Sequence, residues 1–305
     1  SRIRIEDVIN ETVGLEKGNR RGYTRGAKRG AGEHGLVVDL DGQRFAWNGN
    51  AEYGGGRYND VIFWVMVRDR VDFKGAIERL ARKANMELPK WSQEQQVKFA
   101  AVRKQEDVLN VAQRIFAEWL WRDEKAMAYA RGRGWTDETI KKAGLGFTGW
   151  GKPEEYEEMK NALAAAEDIH SAAAVAVLGL RGGVAAWCEK RGIEPKSKWV
   201  DNDRIPSMLG WGDKFGLIYP CIYFGRTTYL YRRHLMLNSE GVLVGSDDPK
   251  SYNLPEVLVG KRQLFFNHVY APRAERVVLV EGPGDAVTLG QWGVDAVAIA
   301  GTAWA

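Results

Sequence analysis

The sequence predicts an α+β protein of more than one domain. A small β-hairpin and helix unit comes first, a mixed α+β middle follows, and the beginning of an α/β sheet closes the chain. Three observations predict this. Residues 36–39 and 43–47 read as short strands joined by Leu40-Asp41-Gly42, and Asp-Gly is a hairpin turn signal. Residues 92–200 are patterned for helices instead. From Arg276 to Ala303 the chain reads strand, glycine turn, helix, strand. Val277-Val278-Leu279-Val280 is the continuous apolar run of a parallel strand covered on both faces.

Composition bounds the possibilities. With 305 residues the chain is too long for one typical core, so two or three domains are expected. An apolar fraction of 45% and a charged fraction of 28% are those of a globular protein and exclude a disordered one. The net charge is only +4, so where the positive charge sits matters more than its total. Cys188 and Cys221 lie far apart in apolar surroundings and read as buried free thiols in a reducing compartment. The most apolar stretch, 172–187, is short and broken by Arg181-Gly182-Gly183, so no membrane partner is expected. Arg2-Ile3-Arg4-Ile5 is too charged for a secretory signal, and a cytoplasmic location follows. The chain starts at Ser1 without a Met, which suggests a trimmed N-terminus.

The elements follow in order. Residues 5–13 form a short amphipathic helix. A basic, glycine-rich stretch runs from Lys17 to Gly32, with Arg20, Arg21, Arg25, Lys28 and Arg29 and no acid before Glu33. After the hairpin, Gly54-Gly55-Gly56 introduces a helix over 59–68, capped by Asn59 or Asp60. Asp72 starts another over 73–85, with Phe73, Ile77, Leu80 and Ala84 on one face. Leu88-Pro89 ends this unit. Residues 92–110 are polar and helical, consistent with a linker helix, and 111–131 form a second helical run with Ile115, Phe116, Trp119 and Leu120. Thr136 caps a fresh helix. Residues 152–200 are Ala-rich and helical, with no motif that carries chemistry. Strands return at 217–223, 227–233 and 242–244. Glu281 directly follows the run 277–280, and in open α/β sheets ligands bind at the carboxyl end of a strand. Gly282 and Gly284 let the backbone turn tightly there. No internal repeat is present.

These pieces, in this order, resemble a known family. Glu281-Gly282-Pro283-Gly284-Asp285, between its two strands, resembles the first half of a TOPRIM domain, the metal-dependent module of bacterial primases and topoisomerases. Tyr58-Asn59-Asp60-Val61-Ile62-Phe63-Trp64 and Asp72-Phe73-Lys74-Gly75-Ala76-Ile77-Glu78-Arg79-Leu80-Ala81, ending at Glu87-Leu88-Pro89, look like the N-terminal domain of DnaG-type primases. Tyr129-Ala130-Arg131-Gly132-Arg133-Gly134-Trp135, with Leu145-Gly146, is similar to the opening of the primase polymerase core. Leu217-Ile218-Tyr219-Pro220, Arg232-Arg233, Pro249-Lys250-Ser251-Tyr252-Asn253 and Lys261-Arg262-Gln263 keep the family order. The resemblance covers most of the chain outside 150–205. It implies a template-binding domain over 1–90, a helical linker over 91–124, the core's N-terminal subdomain over 125–275 and the incomplete start of a TOPRIM domain over 276–305.

Two departures bear on chemistry. The family's N-terminal domain holds zinc through Cys and His, whereas this region has no cysteine and His34 alone cannot supply four ligands. A zinc-free version is expected, held by Phe45, Trp47, Tyr53, Phe63 and Trp64. Second, the Asp-x-Asp pair that completes the family's metal site does not occur after Glu281 within these residues, so the sequence reads as a piece of a longer protein.

The resemblance implies a DNA primase of a replicon or mobile element, working in the primosome. Such an enzyme makes short RNA primers on single-stranded DNA from ribonucleoside triphosphates with Mg²⁺ or Mn²⁺, and a replicative helicase is an expected partner. Glu281 is the implied metal ligand or general base. Asp285 is either a second ligand or a carboxylate that stabilises the following helix N-terminus. Arg232, Arg233, Lys250, Lys261 and Arg262 are expected to form a basic surface for template and triphosphate, with Tyr252 and Asn253 on base or sugar. The 17–29 stretch is an arm on single-stranded DNA or a plain basic loop. Trp47 and Tyr53 read as core ahead of a stacking platform. His234 reads as an exposed strand residue ahead of a phosphate contact. The competing function is a primase relative without activity that docks single-stranded DNA or a helicase. Another TOPRIM enzyme, a nuclease or topoisomerase, does not account for the N-terminal text.

Overall fold

The computed structural model describes residues 3–17, 23–26, 35–48, 50, 53–54, 58–88, 92–223, 225–246, 250–259 and 276–299. The architecture is the expected α+β, in two compact units, Ser1–Ser92 and Gln93–Ala305. No helix among the described residues is long and apolar enough to cross a membrane.

In the first unit, α1 (Ile5–Asn10) stops short of the expected Val13, and Leu15 N–H donates to the Asn10 side chain at 3.0 Å just after it. The basic stretch is not all loop. β1 (Leu15–Lys17) and β2 (Tyr23–Gly26) pair antiparallel, and β2 also pairs with β3 (Leu36–Asp39). Residues 18–22 and 27–34 lie outside the described residues. β3 and β4 (Arg44–Trp47) form the expected hairpin, giving the order β1-β2-β3-β4. Gln43, not Gly42, takes the left-handed conformation of the turn (φ 49°). Asp39 accepts from Gly42 N–H at 2.9 Å and from Arg44 Nε at 2.9 Å, which holds its carboxyl below the usual range.

α2 (Val61–Asp69) and α3 (Phe73–Lys83) are capped by Asp60 and Asp72, each accepting from the backbone N–H three residues on. Asn59 is not a cap. Its backbone pairs with Phe45, and its side chain donates to the Tyr53 carbonyl at 3.2 Å. Aromatic rings fill the space between sheet and helices. Trp64 lies 5.0 Å from Phe45 edge-on, 5.7 Å from Trp47 stacked and 4.7 Å from Tyr53. Phe63 packs at the margin of this cluster. Trp47 is therefore core, and Tyr53 packs half-buried against the same cluster. Trp64→Ala is expected to lower the stability of this unit by about 3–5 kcal/mol, as for other aromatic truncations in a core. A chelator is expected to leave the unit's thermal transition in place, and a transition that collapses on chelation would show a metal holding the unit.

In the second unit the expected linker and the following helical run are one helix, α4 (Gln93–Arg122). Val108, Leu109, Ala112, Ile115, Phe116, Trp119 and Leu120 form a helical stripe, so its second half is core and not a spacer. α5 (Glu124–Gly132) starts at the Asp123 cap, and α6 (Asp137–Ala143) at the expected Thr136 cap. Then come β5 (Gly146–Phe147), α7 (Pro153–Ala166), α8 (Ala172–Leu178), β6 (Leu180–Arg181), α9 (Val184–Glu189), α10 (Ser197–Asp201) and β7 (Arg204–Ile205). β8 (Phe215–Tyr223), β9 (Arg226–Leu237) and β10 (Leu243–Gly245) complete an antiparallel sheet in the order β10-β9-β8-β5, and β11 (Ser251–Asn253) also pairs with β9. α4 lies on this sheet. Glu106 is buried beneath it and pairs with Arg226 at 2.8 Å. Cys188 and Cys221 are buried and are not joined in a disulfide, and burial pushes the Cys221 thiol up to about 11.

Candidate functional site

β12 (Val278–Val280) and β13 (Ala296–Ala298) run parallel with α11 (Pro283–Gln291) as the crossover, in the expected strand–turn–helix–strand order. The expectation of a fully covered strand fails. Val278 is 41% and Leu279 57% exposed, and these consecutive strand residues face opposite sides, so neither face of β12 is fully covered; among the described residues β12 has one strand neighbour. The last residues of the stretch read as strand, 300–303, lie outside the described residues.

Glu281 stands exposed at the carboxyl end of β12. Pro283 opens α11, a position where a missing N–H costs nothing. Asp285 is also exposed, in the first helical turn, where the helix dipole favours a negative charge. A Cβ on Gly282 would stand 3.4 Å from an Asp285 carboxylate oxygen, so this carboxylate folds back over the turn that carries Glu281.

The turn is fixed against the corner between α5 and α6. Trp135 Nε1 donates to Thr288 Oγ1 at 2.9 Å. Gln291 accepts from Thr136 N–H at 2.8 Å and donates to the Gly134 carbonyl at 2.9 Å. This docking carries Arg133 to the turn. A Cβ on Gly284 would stand 3.2 Å from Arg133 Nη2 and 3.3 Å from the Tyr219 hydroxyl, so these two side-chain ends lie close against the turn. Arg133 also lies over the Trp135 ring at 5.1 Å. Burial pushes the Tyr219 phenol well up; the charges of Arg133 and Arg233 act against that shift, and the charge of Asp285 adds to it. Tyr219 is thus where the fields of two arginines and one carboxylate of the turn meet. Neither Arg133 nor Tyr219 was singled out from the sequence. Arg133 belongs to the Arg131-Gly132-Arg133-Gly134-Trp135 run, and its alternating glycines were the available signal.

The remaining candidates divide. Arg233 is half-buried on β9 and donates to the Lys250 carbonyl at 3.1 Å, with the Lys250 side chain exposed beside it. Arg232 is a correction. It is 4% exposed, and its guanidinium donates to the carbonyls of Met208 (3.2 Å), Leu209 (2.9 Å), Lys214 (2.9 Å) and Phe215 (3.2 Å). Successive strand residues face opposite sides of a sheet, so Arg232 and Arg233 cannot share one surface. Burial pulls Arg232 down to about 10. Tyr252 sits opposite Arg232 on β11 and donates its hydroxyl to the Pro206 carbonyl at 3.2 Å, so it belongs to the same inner face. Burial raises its phenol to about 12. Asn253 is half-buried opposite Tyr231. His234 is a second correction. It is buried, and burial, helped by Arg232, Lys214 and Arg233, lowers it to about 4. Lys261 and Arg262 lie outside the described residues.

As a donor set for a cation, Glu281 and Asp285 offer hard carboxylate oxygens, which suit Mg²⁺ or Mn²⁺. Among the described residues no three or more His, Cys, Asp or Glu side chains gather to enclose a metal. A cation at this turn would draw most of its ligands from water and phosphate oxygens, a common state for Mg²⁺.

No family model matches the chain. Over 268 residues it is 27% identical to a DNA primase of Pseudomonas putida, a match that takes in 82% of this chain. The chain spans 35% of the length of that curated relative. Among solved structures, the Aquifex aeolicus primase (zinc-binding and RNA polymerase domains) is 21% identical, covering 99% of this chain and 65% of that one at a TM-score of 0.43. The RNA polymerase domain of Mycobacterium tuberculosis primase DnaG, bound to a double-stranded DNA oligomer with a 6-nucleotide overhang, is 18% identical. It covers 67% of this chain and 56% of that one at a TM-score of 0.46.

Proposed function

We propose that this chain, which resembles the bacterial DnaG-type DNA primases, is part of an enzyme that makes short RNA primers on single-stranded DNA. The reaction is metal-dependent nucleotidyl transfer. A 3′-hydroxyl attacks the α-phosphorus of a ribonucleoside triphosphate, a phosphodiester forms, and pyrophosphate leaves with the proton taken up by a base.

The observation that supports this best is the exposed Glu281 on a glycine turn at the end of a parallel strand, with Asp285 folded over the same turn and Arg133 reaching it at Gly284. A bound Mg²⁺ or Mn²⁺ would neutralise the triphosphate and lower the pKa of the attacking hydroxyl. Glu281 is assigned to hold that cation or to accept the proton, and Asp285 to assist. Arg133 and Arg233, with Lys250, Lys261 and Arg262, are assigned to phosphates of template and nucleotide. Asn253 is assigned to a sugar or base edge. Arg232 and Tyr252 act behind this surface, holding backbone. Residues 1–90 would engage template, 125–275 would form the floor of the groove, and 276–305 would begin the catalytic sheet. A replicative helicase is a proposed partner.

The test is labelled ribonucleotide incorporation by the full-length protein on single-stranded DNA with Mg²⁺ or Mn²⁺. Short products that vanish on chelation are expected. No product, with single-stranded DNA binding intact, would replace this reading with that of a primase-derived binding module.

A further inference from the structure

A concave surface away from the Glu281 turn lies in residues 148–211, mostly within the segment that the sequence resemblance does not cover. It is a cavity of about 450 Å³ between the start of α7, the α8–β6 turn, β7 and the loop at Trp211. That volume is in the range that holds one nucleotide-sized ligand.

Its lining is unusual in charge. Arg181 and Arg204 are directly opposed across the β6–β7 ladder. Like charges directly opposite on paired strands destabilise the pair. No ion pair of either arginine with a carboxylate is found among the described residues. Asp203, next in sequence, is engaged instead by the backbone N–H groups of Gly183 (3.0 Å) and Val184 (2.8 Å). Both guanidiniums lie over the ring of Trp211, Arg204 at 4.1 Å and Arg181 at 5.4 Å from its centre. Trp211 is nevertheless 53% exposed. Exposed Lys152 adds a third positive charge at the rim. Glu155 also lines the cavity, and its two oxygens accept from the N–H groups of Trp150 (3.1 Å) and Lys152 (2.9 Å).

The platform is rigidly built. Gly210 N–H donates to the Thr148 carbonyl at 2.9 Å, and a Cβ at Gly210 would stand 2.2 Å from the Gly149 carbonyl oxygen. Arg232 holds the carbonyls of Met208 and Leu209 from the inner side. An unneutralised arginine pair on a fixed, half-exposed indole is costly to an empty protein and suited to a ligand that is both anionic and planar. Guanidinium forks match phosphate oxygens, and an indole face stacks on a base.

We infer that Arg181, Arg204 and Trp211 form a binding site for a phosphate-bearing nucleotide, separate from the Glu281 turn. Phosphate is held by the two arginines and the base is stacked at the exposed part of Trp211. The nucleotide is either one unit of a single strand or a free nucleoside triphosphate, which share this chemistry.

The test is photo-cross-linking of the full chain with two probes, a single-stranded oligonucleotide carrying 5-iododeoxyuridine and free 5-iodouridine triphosphate. Cross-linked residues are identified by mass spectrometry. A cross-link at Trp211 with the oligonucleotide assigns the site to a strand, and one with the triphosphate alone assigns it to a free nucleotide. Absence of a Trp211 cross-link with both probes overturns the proposal. Arg204→Gln is expected to lower the affinity of the cross-linking probe about tenfold, the scale of one lost stacked or phosphate-paired unit. It is also expected to keep or raise the thermal midpoint, because it relieves the opposed charges. A lower midpoint with unchanged affinity would make the pair structural and overturn the site. Glu281→Gln is expected to leave the Trp211 cross-link unchanged, so failure here and failure of the primase reading are distinguishable.

Discussion

Glu281→Gln is expected to reduce primer synthesis by the full-length protein about 100-fold or more, the scale on which loss of one charge-stabilising group lowers an enzymatic rate. The substitution keeps shape and hydrogen-bonding capacity but removes the negative charge that a cation or a proton requires. Glu281 is exposed, so folding should be untouched. The proposed phosphate contacts at Arg133, Arg233 and Lys250 are cationic and remain in place, so affinity for single-stranded DNA should stay within about twofold, measured by anisotropy. A parallel loss of DNA affinity would assign Glu281 to structure and not to chemistry.

The second large effect is expected inside the sheet. Arg232→Met removes a guanidinium that serves four backbone carbonyls. Those acceptors belong to residues 208, 209, 214 and 215, which lead into and out of the Trp211 loop. Hydrogen bonds from a charged donor are each worth about 1.5–3 kcal/mol, and buried acceptors left unpaired add their desolvation cost. Against this stands the relief of a buried cation, so a net loss of about 3 kcal/mol is expected. For a unit of this size that is a fall of roughly 6–12 °C in thermal midpoint. Arg232→Lys should recover little, since an ammonium has no planar fork to span four acceptors. An unchanged midpoint together with weaker DNA binding would return Arg232 to the surface role that the sequence suggested.

These two residues show what was legible and what was not. Elements were readable where a local signal is strong, as at Asp72 and Thr136, each of which caps its helix, while the α2 cap was left between Asn59 and Asp60 and falls to Asp60. The turn at Glu281 was readable because strand, glycines and helix adjoin in sequence. The aromatic cluster around Trp64 was readable as a set of residue types, and its ring geometry was supplied by the fold. Arg232-Arg233 was misread because two basic residues on a strand look alike in sequence, while alternation places one in the interior. The division of α4 into a linker and a second helix failed because its first half is polar, although backbone hydrogen bonding continues through it. Arg133 and Tyr219 reach the Glu281 turn from other elements, through the docking of Trp135 on Thr288 and Gln291 on Gly134. Such long-range contacts leave no local trace.

The most direct measurement of the central claim is a metal-specificity switch at Glu281. In the full-length protein, Glu281→Cys places a thiolate where a cation is proposed to sit. Thiolates bind hard Mg²⁺ poorly and softer divalent ions well. Primer synthesis by this variant should be lost with Mg²⁺ and regained in part when Mn²⁺ or Cd²⁺ is supplied, while Glu281→Ala stays inactive with all three. Equal activity of Glu281→Cys and the parent with Mg²⁺, or no recovery with either softer ion, would contradict the assignment of Glu281 to the metal.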